Sequence, residues 1–207
     1  GVGEEVSQRR ALLDGVERET RAMLRCGRAD AMRGCGVSLK YMPYALRGLP
    51  PEQVFAQALL GFELGATDDR IAGVNLVMPE DWYIAMRDYD LHMRMYGFLR
   101  RQYPGVNVAL HAGELTLGLV PPETLGLHVR QAIGPGGAKR IGHGTDVMYD
   151  ANPSELLRQM ADRRIAVEIS LSSSDLILGL RGARHPLRQF LRAGVPVVIA
   201  TDDEGVA

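Results

Sequence analysis

A histidine and a glutamate close the run Val106-Asn107-Val108-Ala109-Leu110-His111-Ala112-Gly113-Glu114. The first five residues read as a short buried strand. The last four put a metal-ligand type and a proton carrier at one strand tip. Ala112 and Gly113 let the backbone turn tightly and leave room for an approaching group. A polar strand end in water, with its histidine bonded to a neighbour, would look the same in isolation. The arrangement recurs downstream, however. A strand over 139–142 leads into His143-Gly144-Thr145-Asp146, and one over 195–200 leads into Thr201-Asp202-Asp203. Histidines and carboxylates on otherwise apolar strands are costly unless paired or bound to a metal. A mixed imidazole and carboxylate set suits zinc or iron better than magnesium.

The elements that must hold these residues alternate along the chain. An amphipathic helix over 4–25 belongs to a helical N-terminal segment, 1–35. A strand over 36–42 is stopped by Pro43. Pro50-Pro51 opens a helix that Gly65 ends. Strand 71–77 is apolar on both faces apart from Asn75, as a strand buried on both sides should be. A helix follows over 83–103, then the strand 106–110, then a helix over 121–133. Asn152-Pro153-Ser154-Glu155 caps a helix running to about 164. Strand 165–169 has a polar exit at 170–174. His185-Pro186 opens the helix that ends at Gly194, with His185 as its cap. Six strands joined by helices imply right-handed crossovers and a parallel sheet, either open and doubly wound or a (β/α)8 barrel lacking two units. All the strand exits then share one edge, where α/β active sites are built.

Composition narrows the function classes. With 46% hydrophobic and 24% charged residues, the chain reads as one globular domain over 1–207 with a sizeable core. A formal net charge of −1 gives no electrostatic case for nucleic acid or an anionic membrane. No apolar run approaches the roughly 20 residues that span a bilayer, and the N-terminus has no signal core. A cytoplasmic location is expected. Cys26 and Cys35 are too few and too far apart for a metal knuckle or a disulfide framework, so free thiols in a reducing compartment are expected. Gly134 to Gly137 precedes a strand rather than a helix, the wrong context for a phosphate loop. No Gly-x-Ser-x-Gly elbow appears.

His111-Ala112-Gly113-Glu114, Arg140-Ile141-Gly142-His143-Gly144 and Thr201-Asp202-Asp203 occur in this order, each at a predicted strand end. In this the sequence resembles the adenosine deaminase family of zinc-dependent hydrolases. The serine-rich exit 170–174 and His185-Pro186-Leu187 extend the resemblance, which covers about residues 37–207. It implies the (β/α)8 barrel, with about six of eight strands present here. It implies His111 and Asp202 as zinc ligands, and a water whose pKa the metal lowers. Glu114 would protonate a purine ring nitrogen, and His143 would orient the attacking water. Asp203 would hydrogen-bond the purine, and Gly113 would line its pocket. The expected partner is a purine nucleoside or base, giving an inosine-type product and ammonia. Self-association through open sheet edges is a further expectation.

Two departures stand out. The family's first strand ends in His-x-His and supplies two more ligands; the histidines here are 92, 111, 128, 143 and 185, and none forms that pair. The chain therefore reads as a piece of a longer enzyme, with a metal-free barrel remnant as the alternative, or an amidohydrolase acting on another heterocycle or amide. The family also has Gly-Asp/Glu where this chain has Val77-Met78-Pro79-Glu80, so Met78 narrows the purine site. Other residues have plainer readings. His92 and His128 are expected at the surface or satisfied in the core, and Arg140 in a strand-start ion pair. Trp82 and Tyr83 are expected to cap the rim.

Overall fold

The computed structural model describes residues 1–202. The strands are β1 (Tyr44–Leu46), β2 (Asn75–Val77), β3 (Ala109–Ala112), β4 (Arg140–His143), β5 (Ala166–Ile169) and β6 (Val197–Ile199). The helices are α1 (Val2–Met23), α2 (Pro51–Thr67), α3 (Tyr83–Arg87), α4 (Tyr89–Gln102), α5 (His128–Ile133), α6 (Pro153–Asp162), α7 (Leu171–Leu178) and α8 (Leu187–Arg192). Every strand pairing is parallel, β1 with β2 and then β3-β4-β5-β6 in chain order. A parallel bridge between Val74 and Val108 links the two groups. Sequential parallel order with helical crossovers is the arrangement of a (β/α)8 barrel. The described strands do not close it: Tyr44 on β1 is 59% exposed and Ile199 on β6 is 66% exposed.

One apolar core joins the sheet to its helices. Leu76, Val108, Leu110, Ile141, Val167 and Ile169 from the strands are buried against residues such as Phe62, Tyr96 and Phe190 from the helices. Fully burying one such side chain contributes about 1.5–3 kcal/mol. The predicted cap of α6 is present, with Asn152 accepting the Glu155 N–H at 3.2 Å. α1 packs through charge rather than apolar surface. Only Val6 is buried on it, and Arg70 reaches its Asp14 and Glu17 at 2.8 and 3.2 Å. Among the described residues no helix is long and apolar enough to cross a membrane.

Several elements differ from the sequence reading. The first strand lies beyond Pro43, because Tyr41 makes only one bridge and Pro43 offers no N–H to a ladder. The helix expected over 83–103 breaks at Asp88, whose φ of −99° and ψ of 7° leave the helical region. The helix expected over 121–133 is a 3-10 turn, Pro122–Thr124, followed by α5; Gly126 between them has φ +75°. Residues 170–174 are not an extended exit but the start of α7. Cys26 and Cys35 are not free thiols. The loop after α1 doubles back, brings their Cα atoms to 5.5 Å and joins them in a disulfide.

Candidate active site

The strand carrying His111 runs one turn of the ladder further than expected. β3 pairs with β4 in the register His111↔Gly142 and Ala112↔His143, so the two histidines leave adjacent strand ends one residue out of step, His143 with a left-handed φ of +69°. Their rings lie 4.9 Å apart. On the other side the β2–β3 ladder is interrupted. The side-chain oxygen of Asn75 accepts the His111 backbone N–H at 3.3 Å and meets its ring Nδ1 at 3.1 Å. The same oxygen accepts the Leu76 N–H at 2.7 Å, so two backbone donors fix it as an acceptor. His111 Nδ1 must then carry the ring proton, and Nε2 keeps its lone pair for a ligand.

Gly113 makes the turn that follows. Its φ is +75°, and a Cβ there would fall 2.2 Å from the Asp146 carboxylate. Glu114 comes out of this turn with its carboxylate 3.5 Å from His143 Nδ1 and 3.5 Å from the Ser173 hydroxyl. Asp202 approaches from the end of β6. Ligand atoms of His111, His143 and Asp202 lie within 4.8 Å of one another. Two imidazoles and a carboxylate, one of them with a tautomer already set for coordination, fit a transition metal. These residues line a cavity of about 470 Å³ with Met78, Glu80 and Leu119. Asp203 lies outside the described residues.

Electrostatics separate the roles. Burial, then the neighbouring His143, pushes the His111 pKa down to about 3, so the ring is neutral and able to coordinate. Burial, then the charges of Glu80 and Asp202, raises Glu114 to about 7. A carboxyl that keeps its proton near neutral pH can act as an acid. Three residues at the cavity also carry positive φ without being glycine: Met78 at +88°, His143 at +69° and Asp202 at +63°. Backbone strain of this kind persists where the surrounding structure enforces it, and functional sites are where it gathers.

Beside the cavity, with Glu80 in its lining, lies a buried cluster that the sequence reading did not assemble. Arg47, Glu80 and His128 are 0%, 2% and 4% exposed. Glu80 sits at a strand exit, and a buried strand followed at once by Arg47 was a usable signal. His128 carried none, being one histidine in a helical stretch. His92 is buried with neither ring nitrogen hydrogen-bonded, so it is neither at the surface nor satisfied in the core as expected. The N-cap of α8 is Pro186 rather than His185, whose ring accepts the Leu187 N–H at 3.1 Å from one residue further out. Arg140 pairs with Glu168 at 2.9 Å. Trp82 and Tyr83 are exposed at the rim.

A profile described as adenosine deaminase matches residues 9–207. The chain belongs to the adenosine deaminase family. It is 30% identical over 191 residues to the adenosine deaminase of Pseudoalteromonas translucida, covering 82% of this chain and 56% of that enzyme. It is 39% identical over 100 residues to the aminodeoxyfutalosine deaminase of Streptomyces coelicolor, covering 48% of this chain and 23% of that enzyme. The chain thus matches 56% of the length of the first of these relatives and 23% of the second. In fold it resembles the adenine deaminase of Arthrobacter aurescens, with a TM-score of 0.59 at 23% identity over 81% of this chain and 46% of that one. It resembles a zinc-bound amidohydrolase of Burkholderia ambifaria with a TM-score of 0.60 at 21% identity, over 84% and 44%.

Proposed function

We propose that the protein carrying this site is a zinc-dependent aminohydrolase, which replaces the exocyclic amine of adenosine or a related aminopurine with oxygen and releases ammonia. The observation that carries the reading is the convergence of His111, His143 and Asp202 within 4.8 Å, beside a Glu114 that holds its proton to about pH 7. His111 and Asp202 would hold the zinc, through the free Nε2 of the first and the carboxylate of the second. When bound, the metal supplies Lewis-acid activation of a water near neutral pH.

The chain's own residues supply the rest. Glu114, protonated, gives its proton to a purine ring nitrogen and lets the ring carbon accept the attacking oxygen. Its neighbour His143 orients the incoming water and takes up its proton. Met78 lines the cavity, whereas Gly113 is buried beside it, with the place of a Cβ filled by Asp146 and Val129, so its part is to make the turn that presents Glu114. Asp203 is assigned the hydrogen bond to the purine. The partner is a small purine nucleoside or base. Because one relative is named for aminodeoxyfutalosine, that compound joins adenosine and adenine in the substrate panel.

The test is ammonia release from that panel by the zinc-loaded protein, with Glu114→Gln as control. Release by the wild type and its loss in the variant support the reading. A zinc-loaded protein that turns over no aminopurine sinks it.

A further inference from the structure

The turn between His111 and Glu114 is gripped from two sides by one buried ion pair. On one side a guanidinium nitrogen of Arg47 donates to the His111 carbonyl at 2.7 Å and to the Leu76 carbonyl at 2.8 Å. On the other, the two carboxylate oxygens of Glu80 accept the N–H groups of Gly113 and Glu114, each at 2.8 Å. Arg47 and Glu80 face each other at 3.8 Å. His128 donates from Nδ1 to Glu80, and its ring stacks on Tyr89 with centroids 3.6 Å apart and planes 2° apart.

As a source of stability this cluster is poor. Taking a guanidinium and a carboxylate fully out of water carries a desolvation penalty that the pair repays only with near-complete hydrogen bonding. Here Arg47 Nε makes no hydrogen bond. What the charges do accomplish is directional. Charge-assisted bonds are short and fix geometry more tightly than neutral ones. Three of them end on the turn itself, on the His111 carbonyl and the Gly113 and Glu114 N–H groups, and a fourth ties Arg47 to Leu76 on the neighbouring strand. The register of β3 places His111; nothing in the ladder places Glu114, which lies two residues past the strand end.

We infer that Arg47, Glu80 and His128 are positioning residues: an ion-pair clamp that sets the His111–Glu114 turn so that metal ligand and acid face one cavity. This rests on the aminohydrolase reading for the roles of His111 and Glu114. The clamp itself does not, and the experiment separates the two.

Amide hydrogen exchange is measured residue by residue on the 207-residue chain, in the wild type, Glu80→Gln and His128→Gln, with zinc affinity measured by chelator competition. The Gly126 N–H, which donates to Asp146 at 2.9 Å and not to the clamp, is the internal reference. In the wild type the Gly113 and Glu114 amides are expected to exchange as slowly as Gly126. In Glu80→Gln they are expected to exchange at least tenfold faster, with Gly126 unchanged and zinc held about tenfold more weakly, the usual scale for losing an outer-shell partner. His128→Gln is expected to do the same more mildly. Free exchange of Gly113 and Glu114 in the wild type overturns the clamp without any variant. So does a uniform rise in exchange across the chain in both variants, which is a loss of global stability and nothing more. His111→Ala tells the readings apart: it removes the metal ligand and is expected to leave both amides protected. A wild type that holds no zinc but keeps Glu80-dependent protection supports the clamp while removing the metal reading.

Discussion

The side-chain oxygen of Asn75 takes both the backbone N–H and the ring Nδ1–H of His111. One amide group therefore does two jobs. It opens the β2–β3 ladder at the site and sets the tautomer of the histidine beside it. Removing the acceptor in Asn75→Ala is expected to weaken zinc binding by about tenfold to a hundredfold. Asn75→Asp is expected to restore or tighten it, because a carboxylate makes the imidazole a stronger donor ligand. Chelator competition on both variants is the check. Equal affinities across the three forms would remove Asn75 from the site.

Glu114 is expected to titrate near neutrality. Burial, then Glu80 and Asp202, raises its pKa to about 7, so it keeps its proton below that value and loses it above. Activity should fall as pH rises through about 7, since the ionised form has no proton to give. Glu114→Gln should cost about 10²–10⁴ in kcat, the range for a lost general acid, and abolish that limb. Carboxyl NMR on the metal-free chain reads the titration directly. A midpoint near the ordinary carboxylate value would contradict it.

Asp146 supplies a stability signature. It is fully buried; one oxygen binds the Gly126 N–H and the other has no hydrogen bond. Burial, then the charge of Glu80, raises it to about 7. The folded chain therefore holds this proton where the unfolded chain has released it. The stabilisation is full below the unfolded value near 3.9 and is lost as pH rises to about 7, with a slope approaching about 1.4 kcal/mol per pH unit from this group. Asp146→Asn should flatten the dependence of the melting temperature over that window. An unchanged slope would assign it to Glu114 alone.

Much of this was legible in the residues, and the limits have physical causes. Strand exits are readable because an apolar strand that ends in His or Asp breaks its own pattern, as at His111, His143 and Asp202. The single polar residue in the apolar run 71–77, Asn75, marked the ladder break without saying what it bonds. Arg47, Glu80 and His128 come from three elements far apart in sequence, and no local period relates them. The start of α7 was hidden because Ser172, Ser173 and Ser174 read locally as a polar loop. Two of them are buried, and the helix is held by packing rather than propensity. Cys26 and Cys35 approach only because the loop between them reverses, which a spacing rule does not see.

That disulfide closes a short loop behind α1. By chain entropy a closed loop of about ten residues contributes about 2–3 kcal/mol. Reduction, or Cys35→Ser, is expected to lower stability by that order and to loosen α1, leaving the distant cavity's zinc affinity unchanged. Melting with and without reductant, alongside a chelator titration, checks both halves. A shift in zinc affinity on reduction would mean that the N-terminal segment reaches the site.

Met78 ties strain to selectivity. Among the described residues, five other than glycine have positive φ. Arg25 and Arg164 lie just past the ends of α1 and α6, where a chain leaving a helix turns left-handed. Met78, His143 and Asp202 have no such excuse, and all three line the cavity. At φ +88° Met78 carries a strain of roughly 1–2 kcal/mol that glycine would not. Its side chain lies over Gly48, with its methyl 2.9 Å from where a Cβ on that glycine would stand. A wall is thus built from a residue its backbone disfavours. Met78→Gly relieves the strain and loses those contacts, so its stability is expected to stay within about 1 kcal/mol of wild type. Met78→Val keeps the strain, adds a β-branch and is expected to fold less stably than either. If Met78 sets the pocket's width, Met78→Gly should raise kcat/KM for purine nucleosides relative to free purine bases, because the ribose gains the vacated space. An unchanged ratio, measured in a variant that melts normally, would leave the strain without a role in substrate choice and return Met78 to the packing of Gly48 and Trp82.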